Sequence, residues 1–61
     1  MPEIYIHAMP GRSDDQKRGL VRDITDAMVK NYGVAADQVV ISIIETPASS
    51  KAKGGKLFSD K

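Results

Sequence analysis

Pro2 is the residue in this chain with the clearest capacity for chemistry. The sequence begins Met1-Pro2-Glu3, and a proline inside a chain is a tertiary amide with no basicity. If Met1 is removed, Pro2 becomes a secondary amine on a rigid ring, and an ordinary α-amino group titrates near pH ~7.7–8.0. A nearby cation or an apolar pocket would lower the pKa of such an amine. Pro2 would then be a general base suited to neutral pH, whereas with Met1 attached it has no such chemistry.

Arg12 is the second candidate, because it follows a Pro-Gly break and precedes a predicted helix. A cation at a helix N-terminus is mildly unfavourable beside the helix dipole, which favours a functional reason for it. The alternative is a solvated loop cation. His7 is the sole histidine, and Ser42 has no His/Asp pattern around it. Histidine metal clusters and serine nucleophiles are therefore unsupported.

Two apolar segments are predicted to be β-strands. Residues 2–8 alternate in polarity, with Ile4, Ile6 and Ala8 on one face, which is typical of a half-covered strand. Residues 39–45 form a nearly continuous β-branched run, which indicates a strand covered on both faces. A two-stranded sheet cannot cover both faces of that strand, so this run favours a partner chain.

A helix over roughly 14–32 is predicted between the strands. Ser13 with Gln16 three residues later matches a capping box, and Gly33 is suited to end the helix. Two strands joined by a helix of this length predict a parallel βαβ unit with a right-handed crossover. The predicted core stripe of the helix consists of Leu20, Ile24, Ala27, Met28 and Asn31/Tyr32, broadened by Val21, and Lys17 is assigned to a polar face.

The segment after Pro47 is small, basic and rich in glycine, and Leu57 and Phe58 predict an edge hairpin. Residues 1–61 are treated as a single domain. A chain of about 60 residues is marginally stable alone, and small scaffolds use disulfides, metals or oligomerisation. With no cysteine and one histidine, self-association is the expected solution.

Composition disfavours several classes of partner. The net charge is +1, with 9 Lys+Arg against 8 Asp+Glu, so we expect neither nucleic-acid nor membrane binding. No stretch has the length and hydropathy of a signal peptide or a membrane span. A cytoplasmic protein is therefore expected.

The whole chain resembles the 4-oxalocrotonate tautomerase family. The resemblance rests on the initial Met-Pro, the strand Ile4-Tyr5-Ile6, the block Gly11-Arg12-Ser13-Asp14-Asp15-Gln16-Lys17, the 39–45 strand and Gly54-Gly55. It implies an α/β (α+β) tautomerase fold built from βαβ protomers, with a dimeric four-stranded sheet and a hexamer made of three dimers. It also implies an isomerase without cofactor or metal, of the kind that degrades aromatic compounds.

The resemblance assigns Pro2 as the catalytic base for enols of 2-keto acids, such as 2-hydroxydienoates. Arg12 matches the arginine that binds a substrate carboxylate, a role suited to a guanidinium fork. These two residues are expected to meet across a subunit boundary. Met9, close to Arg12, is a further candidate for substrate contact.

Two positions depart from the family pattern. Val40 stands where many members have a second arginine, and Lys51 stands where they have an aromatic residue near the proline. Val40 in place of an arginine removes a positive charge that would stabilise the substrate. Lys51 in place of an aromatic residue should admit water to the pocket around the proline. Lys51 would supply positive charge from another direction. The dicarboxylate 2-hydroxymuconate is therefore not expected to be the native substrate.

Three other functions remain as alternatives. The same proline chemistry would support hydration or dehalogenation of an unsaturated acid, although the extra acidic or arginine residues of such enzymes are not found. Val40 and Lys51 suggest a weakly active or non-catalytic subunit of a hetero-oligomer. A ribbon–helix–helix DNA-binding domain is disfavoured by the balanced charge and the second apolar strand.

Overall fold

The computed structural model describes residues 1–60, and its centre is a parallel β–α–β unit. Strand β1 spans Glu3–Ala8, helix α1 spans Asp14–Tyr32 and strand β2 spans Val40–Glu45. The strands pair in parallel from Glu3 opposite Val40 to Ala8 opposite Glu45. Parallel neighbours need a crossover connection, which α1 supplies. The predicted βαβ unit is confirmed.

Both ends of α1 are closed by local hydrogen bonds. The Gln16 N–H donates to Ser13 Oγ at 3.2 Å, and the Ser13 N–H donates to Gln16 Oε1 at 2.9 Å. At the other end, Gly33 has φ 68° and its N–H donates to the Val29 carbonyl at 3.1 Å. The predicted capping box and terminal glycine are confirmed, and the capping box fixes where the loop before α1 ends.

The packed face of α1 differs in part from the predicted stripe. Ile24 is half-buried as predicted, but Leu20 and Tyr32 are 43% and 71% exposed. Lys17 was placed on a polar face, and this was wrong because its side chain lies half-buried at the start of the packed row. Its aliphatic stem can cover apolar surface while the ammonium stays at the edge. Positions spaced by four, three and four residues share this face: Lys17, Val21, Ile24 and Met28.

No side chain among residues 1–60 is fully buried. Along β1, the alternation is as predicted, with Ile4, Ile6 and Ala8 half-buried. The opposite sheet face is open, and Tyr5 on it is 61% exposed. The predicted covering of both faces of β2 is therefore absent from the single chain, in which Val40 is 37% exposed.

A short antiparallel hairpin follows the β–α–β unit. Strand β3 is Ala52–Lys53 and strand β4 is Lys56–Leu57, joined by the two-residue turn Gly54-Gly55. The Phe58 N–H donates to the Lys51 carbonyl at 2.8 Å, so the pairing extends one position beyond the strands. The predicted hairpin is confirmed, and it places residues 51 and 58 side by side.

Candidate active site

Pro2 lies directly before β1, where the backbone of β2 holds it. Its carbonyl accepts a hydrogen bond from the Val40 N–H at 3.0 Å, and its side chain is half-buried. This bond uses only the carbonyl, so the ring nitrogen takes no part in the sheet. The hydrogen bond to β2 therefore fixes the position of the Pro2 ring at the start of β1.

Arg12 lies beyond the opposite end of β1. It follows Gly11, whose φ of 117° is a conformation that favours glycine, and it precedes the N-cap residue Ser13. β1 has six residues, and at about 3.3 Å per residue it separates its two ends by roughly 20 Å. Pro2 and Arg12 of one chain are therefore too far apart to contact one small substrate.

Arg12 lines a concavity of about 280 Å³ between the end of the sheet and the first turns of α1. Its walls are mainly apolar, and its polar groups come from the helix start and the end of β2. The lining residues are Ile6, Ala8, Arg12, Gln16, Lys17, Leu20, Ile43 and Glu45. Gln16 Oε1 already accepts the capping hydrogen bond. The groups left to interact with a ligand in this concavity are therefore the three charged ones, Arg12, Lys17 and Glu45.

Lys17 and Glu45 form an ion pair within this concavity. Lys17 Nζ donates to Glu45 Oε1 at 2.8 Å, and each side chain is 30% exposed. This hydrogen bond is the largest cause of a pKa of Lys17 raised above the ordinary 10.5. The pair joins the beginning of α1 to the last residue of β2.

Arg12 has no ion-pair partner within residues 1–60. The two ion pairs found there join Lys17 to Glu45 and Arg18 to Asp15. Arg18 lies on the outer helix surface with its side chain 68% exposed. Arg12 is therefore a cation available to an incoming anion, on an apolar concavity that would suit the hydrocarbon part of a small molecule.

The remaining candidates lie away from this concavity. Met9 follows β1 and is 45% exposed, and Val40 lies beside Pro2. The Lys51 ammonium lies 5.4 Å from the centre of the Phe58 ring, within reach of a cation–π contact. No group of three His, Cys, Asp or Glu in residues 1–60 is placed to hold a metal ion. Over the same range, no helix combines the length and hydropathy needed to cross a membrane.

Two features of the site were missed from the sequence. The Lys17–Glu45 pair joins residues 28 positions apart, but the spacing of Lys17 before Val21 and Ile24 could have placed it on the packed face. The second feature is the Phe58 ring, which lies next to Lys51. This neighbour could have been predicted from the sequence, because a two-residue turn at Gly54-Gly55 fixes which positions of the hairpin lie opposite each other. Positions 51 and 58 are equally far from that turn.

Comparisons with known proteins agree on one family. The family model described as "Tautomerase enzyme" matches residues 2–61. A probable tautomerase of Bradyrhizobium diazoefficiens is 56% identical over 61 residues, covering 100% of this chain and 91% of that protein. A 2-hydroxymuconate tautomerase of Bacillus subtilis is 35% identical over 98% of this chain and 97% of its own length. The crystal structure of a 4-oxalocrotonate tautomerase homologue superposes with a TM-score of 0.90 at 33% identity, covering 100% of this chain and 97% of the other.

Proposed function

This chain belongs to the tautomerase family of isomerases, and from that premise we propose that it is a keto–enol tautomerase that works without a cofactor. The proposed substrates are 2-hydroxydienoates and related enols of 2-keto acids. The observation that carries this proposal is Arg12, a cation without an ion-pair partner among residues 1–60 on the edge of an apolar concavity. A carboxylate attached to an unsaturated hydrocarbon chain fits both properties.

Pro2 is proposed as the base once Met1 is removed. Its neutral amine takes the enol hydroxyl proton, the O–H electron pair becomes the C=O bond, and the C=C electrons take up a proton at carbon. The resulting ammonium supplies that proton, which restores the neutral amine. Support comes from the hydrogen bond between the Pro2 carbonyl and the Val40 N–H, which holds the residue without engaging its ring nitrogen in the sheet.

Arg12 is proposed to bind the substrate carboxylate through two parallel hydrogen bonds. Ile6 and Leu20 beside it suit the hydrocarbon part of the substrate. Val40, next to Pro2, offers no positive charge to a second carboxylate. We therefore propose a preference for substrates with one carboxylate, such as arylenolpyruvates, over the dicarboxylate 2-hydroxymuconate.

Self-association is part of the proposal, as a dimer with a four-stranded sheet or a hexamer of such dimers. The separation of roughly 20 Å along β1 means that one substrate can meet Pro2 and Arg12 only from different copies. The absence of any buried side chain among residues 1–60 also favours a partner chain. The similarity to proteins named tautomerases does not favour the alternative, suggested by Val40 and Lys51, of a weakly active or non-catalytic subunit of a hetero-oligomer.

The first test is the intact mass of the purified protein, followed by ketonisation kinetics of a 2-hydroxydienoate and an arylenolpyruvate. Loss of one methionine together with turnover is expected. Pro2→Ala and Arg12→Ala should each reduce kcat/KM. Arg18→Ala is the matched control, since Arg18 is a cation near the start of α1 that pairs with Asp15 outside the concavity. Turnover by protein that retains Met1 would contradict the proposed base.

A further inference from the structure

The concavity lined by Arg12 is also lined by a carboxylate, which is the group a substrate would offer to Arg12. Glu45 lines the same space as Arg12, and a carboxylate there could occupy the guanidinium in place of a substrate carboxylate. In this structure Glu45 pairs with Lys17 Nζ at 2.8 Å. Arg12 stays without an ion-pair partner among residues 1–60.

The backbone limits what Glu45 can do. Glu45 is the last residue of β2 and lies opposite Ala8, and the next residue, Thr46, donates its N–H to the Ala8 carbonyl at 3.0 Å. The end of β2 is therefore tied to the end of β1, and Glu45 can change partners only by rotating its side chain. The cations that line the concavity with it are Arg12 and Lys17.

We infer that Lys17 is a positioning residue that keeps Arg12 available, because it holds the Glu45 carboxylate away from the guanidinium. This inference rests on the proposed role of Arg12 in carboxylate binding. A partly exposed ion pair contributes little to fold stability, so the consequence should be seen in substrate binding. An intramolecular carboxylate acts at an effective concentration on the order of mM, which is enough to compete with a substrate.

The test compares Lys17→Met, Glu45→Gln and the double variant, with kcat and KM measured on a monocarboxylate enol. Lys17→Met is expected to raise KM about three- to tenfold and to leave kcat within about twofold, because Glu45 then pairs with Arg12. Glu45→Gln is expected to lower KM, because the positive charge of Lys17 is then no longer neutralised by Glu45 and adds to that of Arg12 in the concavity. The double variant should return KM close to the parent value, a non-additive result.

A merely structural role predicts a different result for Glu45→Gln. If the pair only held α1 against β2, Glu45→Gln and Lys17→Met would both raise KM, because each removes the same ion pair. That result, or an unchanged KM in Lys17→Met, would overturn the inference. The expected decrease for Glu45→Gln is a separate test should Lys17→Met not fold, and Arg18→Met is the control that breaks the outer pair.

Arg12→Ala, measured beside these variants, separates failure of this inference from failure of the proposed function. An unchanged KM in Arg12→Ala would remove the proposed carboxylate site and the inference with it. A raised KM in Arg12→Ala with an unchanged KM in Lys17→Met would remove the inference alone. A methyl ester of the same enol should show no KM increase in Lys17→Met, since it carries no carboxylate for Arg12.

Discussion

The two ends of β1 are held in different ways. At the Pro2 end, a backbone hydrogen bond to Val40 fixes the chain, and the proposed chemistry depends on one ring nitrogen. At the Arg12 end, side chains from the loop, α1 and β2 form a concavity with three charged groups. In the proposed mechanism the Pro2 end moves a proton and the Arg12 end binds an anion. Mutations at the two ends should therefore change different kinetic constants.

The largest effect is expected from Pro2→Ala. The replacement leaves a primary amine of different basicity and geometry, and general bases typically contribute about 10²–10⁴-fold. We expect kcat to fall within that range while KM stays within a few-fold, measured by ketonisation of an arylenolpyruvate. A kcat equal to that of the parent would exclude Pro2 as the base.

Arg12→Ala should mainly raise KM. Hydrogen bonds to charged groups contribute about 1.5–3 kcal/mol, which corresponds to roughly a 10- to 100-fold rise for a carboxylate substrate. The esterified substrate serves as the control, because its KM should not depend on Arg12. Equal effects on the acid and the ester would contradict carboxylate binding at this end.

A pair of glycine replacements tests how the Arg12 loop is positioned. A Cβ at Gly11 or at Gly19 would meet no atom within 4 Å, but only Gly11 has a positive φ, of 117°. Gly11→Ala should strain the loop and raise KM several-fold without changing kcat. Gly19→Ala in the middle of α1 should leave KM unchanged and increase the free energy of unfolding by about 0.5–1 kcal/mol. Equal KM values in the two variants would show that the Gly11 conformation does not position Arg12.

The smallest effect concerns the alkaline pH dependence of the Lys17–Glu45 pair. The hydrogen bond to Glu45 is the main cause, and charge on Glu45 and Asp14 a lesser one, of a Lys17 pKa raised above 10.5. The stabilisation from this pair is therefore fully present below pH 10.5 and is lost as pH rises through the raised pKa. The difference in free energy of unfolding between the parent and Lys17→Met should be constant from pH 7 to about 10 and shrink above that. A difference that grows with pH would contradict this sign.

The features predicted from the sequence are those set by neighbouring residues. The alternation of β1, the Ser13–Gln16 capping box and the end of α1 at Gly33 depend on residues within one turn or one strand. They therefore leave a pattern in a single sequence. The parallel pairing could also be predicted, because a helix of that length between two strands leaves few other connections.

The missed features depend on contacts between distant segments. Lys17 meets Glu45 because the parallel register places the end of β2 beside the start of α1. A prediction from the spacing of apolar residues assigns every lysine to the polar face of a helix. It therefore misses a lysine whose aliphatic stem is covered and whose ammonium is paired. Leu20 was predicted to be core but is 43% exposed, since two strands about 4.8 Å apart are too narrow to cover a wide helix face.

The central claim is that Pro2 and Arg12 of different copies act on one substrate, and subunit mixing tests it most directly. Pro2→Ala and Arg12→Ala proteins would be unfolded together, refolded, and assayed against each variant refolded alone. If each site takes its proline from one copy and its arginine from another, roughly a quarter of the sites in an equal mixture have both residues intact. The account predicts recovery of about a quarter of the parent activity. A mixture no more active than the average of the two variants would show that each copy works alone.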